Sequence, residues 1–277
     1  MKQLILKRIL PAVGVLALAV AGYFFFFTPA EFRAQANPAP ACQSSIFDKS
    51  ALVFDTLLIC GTKDVPAEKL THAANVAAEW LDNDGDGIVD EPRLIEIFKT
   101  SRPVVVMSSA GISPAAMPRI MTALSGYQIQ DLHASETNPG GNQRDASQEE
   151  IHHVIMNGGW IPLLPATFSD QASQSSKLYQ AWQLADTNQL YVYNDPTCND
   201  SCKVTEFVYL ATAAYFGGDI RDLQTEEIRL YTRGELQQSI PAVVEIFESA
   251  DYVYPTDHWP TGDYAHQQNI QTFGLSE

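Results

Sequence analysis

Residues 145 to 155 read DASQEEIHHVI, with two adjacent glutamates and two adjacent histidines at the start of a segment patterned for a helix. At about 100° per residue, Ile151, Val154 and Ile155 share one apolar stripe, while Glu149 and His153 fall together on the opposite side. Glu149 and His153 are therefore i and i+4 neighbours, the relation of the two histidines in the zinc-binding pattern HExxH. Glu150 then stands where that pattern places its general base. A carboxylate can replace an imidazole on zinc, although the site becomes more negative and the metal a weaker Lewis acid. The same residues admit a plainer role. Ser147 followed three positions later by Glu150 is a capping box, and acidic residues in a first turn suit the helix dipole. A Glu-x-x-His di-iron helix would need a second copy of the motif, and the sequence holds one.

A centre of this kind needs a third ligand. Glu206 sits in the apolar run VTEFVYLATAAYFGG, where a helix would bury at least part of its carboxylate, and a buried carboxylate demands a cation or a donor. Zinc, calcium or an arginine would each serve, and a Glu on the polar side of that helix is the alternative. His258 and His266 in the C-terminal tail are further candidates for the same position.

A second group of carboxylates lies in DNDGDGIVDE. Asp82, Asp84 and Asp86 alternate along a short loop, and Gly87 allows the sharp turn at the sixth position of an EF-hand-type calcium loop. Ile88 would offer its backbone carbonyl at the seventh position, and Asp90 stands at the ninth. The twelfth position is Arg93 where an EF-hand has a bidentate glutamate, so Glu91, Glu96 or water would have to complete the shell. That departure points to a weak structural calcium site of extracellular type. An unloaded acidic turn is the alternative, in which three close aspartates repel one another.

The stretches KLTHAANVAAEWLDNDGDGIVDE, VVVMSS, LHASETNPGGNQRDASQEEIHHVI and TCNDSCKVTEFVYLATAAYFGG together resemble an uncharacterised family of secreted proteins. That family carries an aspartate-rich loop, a Glu-Glu-x-x-His helix and a Thr-Glu-aromatic helix in this order, and it is similar in motif order to zincin metallopeptidases of the gluzincin type. The similarity runs from about residue 50 to the tail. It implies a metal site with Glu149, His153 and Glu206 as ligands. His152 lies outside the shared pattern, as a residue behind the ligands or an exposed one. By the same analogy His133 and Glu136, in the extended stretch before the helix, would flank a substrate groove, with plain edge-strand residues as the alternative; His72 reads as packed or exposed.

The positioning elements follow from periodicity. SALVFDTLLICGT reads as one strand, VPAEKLTHAANVAAEWL and PRLIEIFK as helices on either side of the acidic loop, and PVVVMSS as a buried strand. A helix at PAAMPRIMTAL and an extended YQIQDLHASE follow, and a turn-rich NPGGNQRD delivers the chain to Glu149. GGW is expected to stop that helix. Helices at SSKLYQAWQLA, KVTEFVYLATAAYFGG and within TEEIRLYTRGELQQSIPAVVEIFES then lead to an irregular aromatic tail. The expected fold class is α+β: a helix-rich, zincin-like domain with a small sheet and an EF-hand-like loop.

The flanks set the address. Lys2, Lys7 and Arg8 precede an uncharged stretch from Ile9 to Phe27 that is about long enough to cross a bilayer, and AQA at 34 to 36 offers a signal-peptidase pattern. Residues 1–36 are therefore expected to be a signal anchor or signal peptide with a tether, and 37–277 one extracytoplasmic domain. Cys42, Cys60, Cys198 and Cys202 all lie in the exported part, with Cys42–Cys60 and Cys198–Cys202 the favoured disulfides among three connectivities. A zinc or redox role for Cys198 and Cys202 would need a second Cys/His pair close by. A net charge of −16 argues against nucleic-acid or anionic-membrane binding, leaving the N-terminal helix as the expected membrane contact. The functional expectation is a metal-dependent hydrolase outside the cytoplasm, a zinc peptidase stabilised by calcium and acting on a peptide or protein. Its rival is a non-catalytic, calcium-binding envelope or secreted protein.

Overall fold

A computed structural model describes residues 42, 45–141, 143–218, 220–224 and 227–275. The expected N-terminal membrane segment lies outside the described residues, and among these no helix is long and apolar enough to cross a membrane. The described chain is mixed helix and sheet, as its patterning requires.

SALVFDTLLICGT is a hairpin, not one strand. β1 (Phe47–Val53) and β2 (Leu57–Thr62) pair antiparallel across a turn at Phe54 and Asp55, both with positive φ (46° and 56°), and Thr56 N donates to Val53 O at 3.1 Å. That is a type I′ turn, whose twist suits a hairpin but which usually recruits Asn and Gly; Phe-Asp hid it inside an apolar run. From β2 the chain passes through α1 (Ala67–Leu81), the acidic loop and α2 (Pro92–Ser101) to β3 (Pro103–Ser108), which lies parallel to β2. It returns through α3 (Met117–Ala123) to β4 (Gln128–His133), parallel to β3 at the edge of the sheet. The expected irregular tail ends instead in β5 (Ile270–Phe273), which pairs antiparallel with β1 and completes the order β4-β3-β2-β1-β5.

Every residue of β3 is buried, and this explains the unbroken PVVVM run: a strand covered on both faces has no polar side to show. Val104 and Val106 face a small core with Ile120 of α3, its C-cap Leu124 and the Cys42–Cys60 disulfide, while Val105 and Met107 face the main core. On the main-core side lie α1 and α4 (Ala146–Ile155). Beyond α4 the helical path does not stop at GGW but runs through a π-helical turn, Met156–Trp160, into α5 (Ile161–Leu163). Gly158 and Gly159 are there for close approach. A Cβ on Gly158 would come within 3.1 Å of Pro103 Cβ, and one on Gly159 within 2.8 Å of the Phe98 ring.

Short α6 (Pro165–Phe168) and α7 (Lys177–Thr187) lead on to α8 (Asp200–Phe216), and α9 (Arg233–Ser239) and α10 (Pro241–Phe247) close the helical side. Cys198–Cys202 staples the start of α8, as expected. Val204, Phe207, Val208, Tyr209, Leu210 and Ala211 are each buried in the main core, at roughly 1.5–3 kcal/mol for each large apolar side chain. Glu206 is thus carried on a helix packed into the main core.

Candidate metal centre

α4 is positioned by the residue just before it. Asp145, not Ser147, is the N-cap: its Oδ1 accepts the amides of Ser147 (3.0 Å) and Asn138 (2.9 Å) and the Ser147 hydroxyl (2.6 Å). His72 of α1 donates Nε2 to Asp145 Oδ2 at 2.6 Å, so its role is to fix the cap. Burial works against the Asp145 carboxylate, yet its hydrogen bonds with His72, Ser147 and Asn138 hold its pKa below the ordinary value. Trp80 Nε1 donates to Gln148 O at 2.9 Å and ties the same turn to α1. This replaces the capping box that the sequence admits as the plainer alternative. Ser147 lies inside the helix, and Glu150 turns instead to β4, where Gln130 Nε2 donates to its Oε2 at 2.5 Å.

One potential ligand atom from each of Glu149, His153 and Glu206 lies within 4.8 Å of the others. Glu149 and His153 are buried and Glu206 is largely so, with 15% of its side chain exposed, which rules out the surface-facing alternative for that glutamate. His153 Nε2 is 3.6 Å from Glu206 Oε2, and its Nδ1 is 3.7 Å from Glu150 Oε2. Nε2 is shielded from solvent and has no hydrogen-bond partner. Burial, reinforced by the Glu149 and Glu150 carboxylates, pushes the Glu206 pKa up against the pull of His153. Burial alone would depress the His153 pKa, but Glu150, Glu206 and Glu149 outweigh it and raise it.

Further residues complete the surroundings, and sequence reasoning missed them. Arg144 Nη2 donates to Glu149 Oε2, and its Nε lies 3.6 Å from Asp222 Oδ1, which accepts the Tyr209 hydroxyl at 2.8 Å. Asp222 is buried, and desolvation raises its pKa to about 6 despite Arg144 and Tyr209. The legible signal was an arginine just before two glutamates in an acidic chain; nothing local marked Asp222. Tyr191 is fully buried, with a hydroxyl that has no hydrogen-bond partner, and desolvation, reinforced by Glu206 and Glu227, pushes its pKa far up.

The other histidines fall elsewhere. His152 is buried, not exposed, with Nε2 2.9 Å from the Tyr254 hydroxyl and its ring against Trp80 and Tyr209; desolvation keeps it neutral. His266 Nε2 hydrogen-bonds Gly85 O at 2.9 Å and His258 O accepts from Asn83, so both belong to the acidic loop and neither supplies the third ligand. His133 is bracketed by Asp131 (3.3 Å) and Glu136 (3.1 Å) at the end of β4.

In the acidic loop Asp82, Asp84 and Asp86 converge, and Asp82 is fully buried. Asp82 accepts the amides of Asp86 (3.1 Å) and Gly87 (2.9 Å) and the Tyr264 hydroxyl (2.5 Å). Asp90 accepts the Asn83 amide at 2.7 Å; burial, reinforced by the charges of Asp84 and Asp82, pushes its pKa up to about 6. The Ile88 side chain is exposed, and its amide donates to Asp86 Oδ1 at 2.8 Å. Of the two glutamates proposed to replace the twelfth ligand, one is engaged by an arginine and the other lies on the surface. Glu91 caps α2 and is clasped by Arg93 at 2.6 and 2.7 Å, and Glu96 pairs with Lys99. A hollow of about 430 Å³ beside this loop and another of about 500 Å³ at Val192, Asn194, Arg229 and Tyr231 both lie clear of the Glu/His group.

No known protein family, curated protein or solved structure matches the chain.

Proposed function

We propose that the protein is an extracytoplasmic, zincin-like hydrolase, acting on peptide bonds, in which Glu149, His153 and Glu206 hold zinc or another divalent transition metal. The observation that carries this reading is His153 Nε2, buried without a hydrogen-bond partner and facing two carboxylates from separate helices. Beside Arg144, a bound metal would give His153 Nε2 and the two carboxylates a shared partner and offset the desolvation and mutual repulsion of the buried glutamates. A metal held by these three residues would supply a Lewis acid for a carbonyl and for water. Glu150, beside His153 and oriented by Gln130, takes the proton of the attacking water at its carboxylate. The two disulfides support a location in an oxidising compartment, and the basic, then apolar, N-terminus supports anchoring there.

A second, weaker cation belongs in the Asp82, Asp84 and Asp86 loop, and calcium fits its all-oxygen chemistry. That loop alone would also suit a non-catalytic calcium-binding protein. Elemental analysis of protein purified without chelator or nickel separates the two. The hydrolase reading expects one transition metal per chain, lost in Glu149→Ala, His153→Ala and Glu206→Ala with calcium retained, and peptide hydrolysis that falls at least 100-fold in metal-loaded Glu150→Gln. Calcium alone, unchanged in all three ligand variants, would leave only the binding protein.

A further inference from the structure

We propose that Arg144 is a positioning residue of this centre: its guanidinium takes one oxygen of Glu149 and leaves that carboxylate a single oxygen for the metal. The inference rests on the metal-centre reading above. Arg144 immediately precedes the cap residue Asp145, so its backbone is fixed relative to both α4 and α1 through the His72 bond. Its side chain, 35% exposed, reaches inward to Glu149, whose side chain is only 8% exposed. Nη2 donates to Glu149 Oε2, and Nε faces Asp222 at 3.6 Å from a second direction. Asp222 is itself held by the Tyr209 hydroxyl from α8, the helix that supplies Glu206. The guanidinium thus stands between two buried carboxylates with its fork directions set.

The chemical consequence concerns how a carboxylate binds metal. A glutamate free to rotate can offer either oxygen or close both on the ion, raising its coordination number and removing the open position that reacting water needs. An arginine on Oε2 opposes that closure. It also returns a positive charge to a site whose two carboxylate ligands would otherwise cancel that of the metal. Ligating carboxylates are commonly fixed by an outer hydrogen bond, and loss of such a bond typically weakens metal binding 10- to 100-fold.

The test uses the full chain in detergent with cobalt(II) alone as the probe. Affinity is read by competition with a coloured chelator and coordination from the visible absorption. Wild type is expected to take one cobalt with the intense spectrum of a four-coordinate ion. Arg144→Met should bind roughly 10- to 100-fold more weakly, with bands weakened as Glu149 closes both oxygens on the ion. Arg144→Lys, which keeps the charge and one donor, should recover much of both. An Arg144→Met protein with wild-type affinity and spectrum overturns the inference and leaves the centre standing. Equal losses in both variants that track a drop in melting temperature also overturn it, as an effect on the fold. Wild type that takes up no cobalt, or Glu149→Ala that binds it like wild type, overturns the centre itself and this inference with it.

Discussion

At the scale of single residues, the helix that carries Glu149 and His153 depends on one carboxylate outside it. Asp145 caps α4, receives His72 from α1 and orders Asn138 in the preceding loop, so it joins two elements and one turn. Replacing it with alanine removes the cap and leaves buried donors unpaired, which should cost about 1–3 kcal/mol of stability at neutral pH in urea unfolding. The pH dependence has a definite sign. The folded-state pKa of Asp145 lies below its ordinary value, so its contribution is complete above the unfolded value of about 3.9 and is lost as pH falls through the folded one. The gap between wild type and Asp145→Ala should therefore narrow below about pH 4. A gap that stays constant down to pH 2 would show that the carboxylate's charge contributes nothing. Arg144, Asp145 and Asp222 illustrate why this scale was only half legible. Glu149, His153 and Glu206 could be picked out by spacing and by a charge set in an apolar run, whereas Asp222 is brought beside Arg144 by the fold alone.

At the scale of elements, periodicity located most helices and the buried β3, and it failed where a rare backbone choice overrode composition. The Phe54-Asp55 turn is one such place, since its left-handed residues are not the glycine or asparagine that announce a hairpin. β5 is another, because IQTF becomes a strand only by pairing with β1 far away in sequence. The GGW segment is the third and bears most directly on the site. Two glycines ordinarily end a helix, but here they let it pass against Phe98 and Pro103 as a π-turn directly after His153 and its neighbours. A methyl at Gly159 would meet the buried Phe98 ring and Leu94 Cδ2 at 2.8 and 3.0 Å, contacts that the packed interior has little room to relax. Gly159→Ala should thus destabilise by about 1–3 kcal/mol, despite the better helix propensity of alanine. A stabilised variant in the same urea assay would mean that the segment has room to spare and that propensity governs it.

At the scale of the whole molecule, the acidic loop is the joint between the sheet side and the C-terminal tail. Asn83 holds the backbone at Asp257 and His258, Tyr264 bonds Asp82, and Asn269 donates to Gly87 O just before β5 completes the sheet. The same tail places Trp259 against Trp80 and Tyr254 on His152, directly beside His153. Glu79, at the end of α1, gathers the amides of Thr261, Gly262 and Asp263. Three converging aspartates burden this joint with repulsion that a bound calcium would remove. With a missing twelfth-position ligand, affinity should fall in the weak extracellular range, with a Kd of about 0.1–1 mM. Ten millimolar calcium is then roughly 10 to 100 times Kd, a stabilisation of about 1.4–2.7 kcal/mol. For a domain of this size that corresponds to a rise in melting temperature of roughly 3–10 °C. Magnesium at the same concentration should give much less, because it prefers a tighter octahedral shell and sheds water reluctantly. Asp84→Asn with Asp86→Asn should start from a higher calcium-free melting temperature, since repulsion is relieved, and show no calcium response. A calcium rise that persists in that double variant would place the ion elsewhere, and no rise in wild type would make the loop an acidic turn whose hydrogen bonds to the tail suffice.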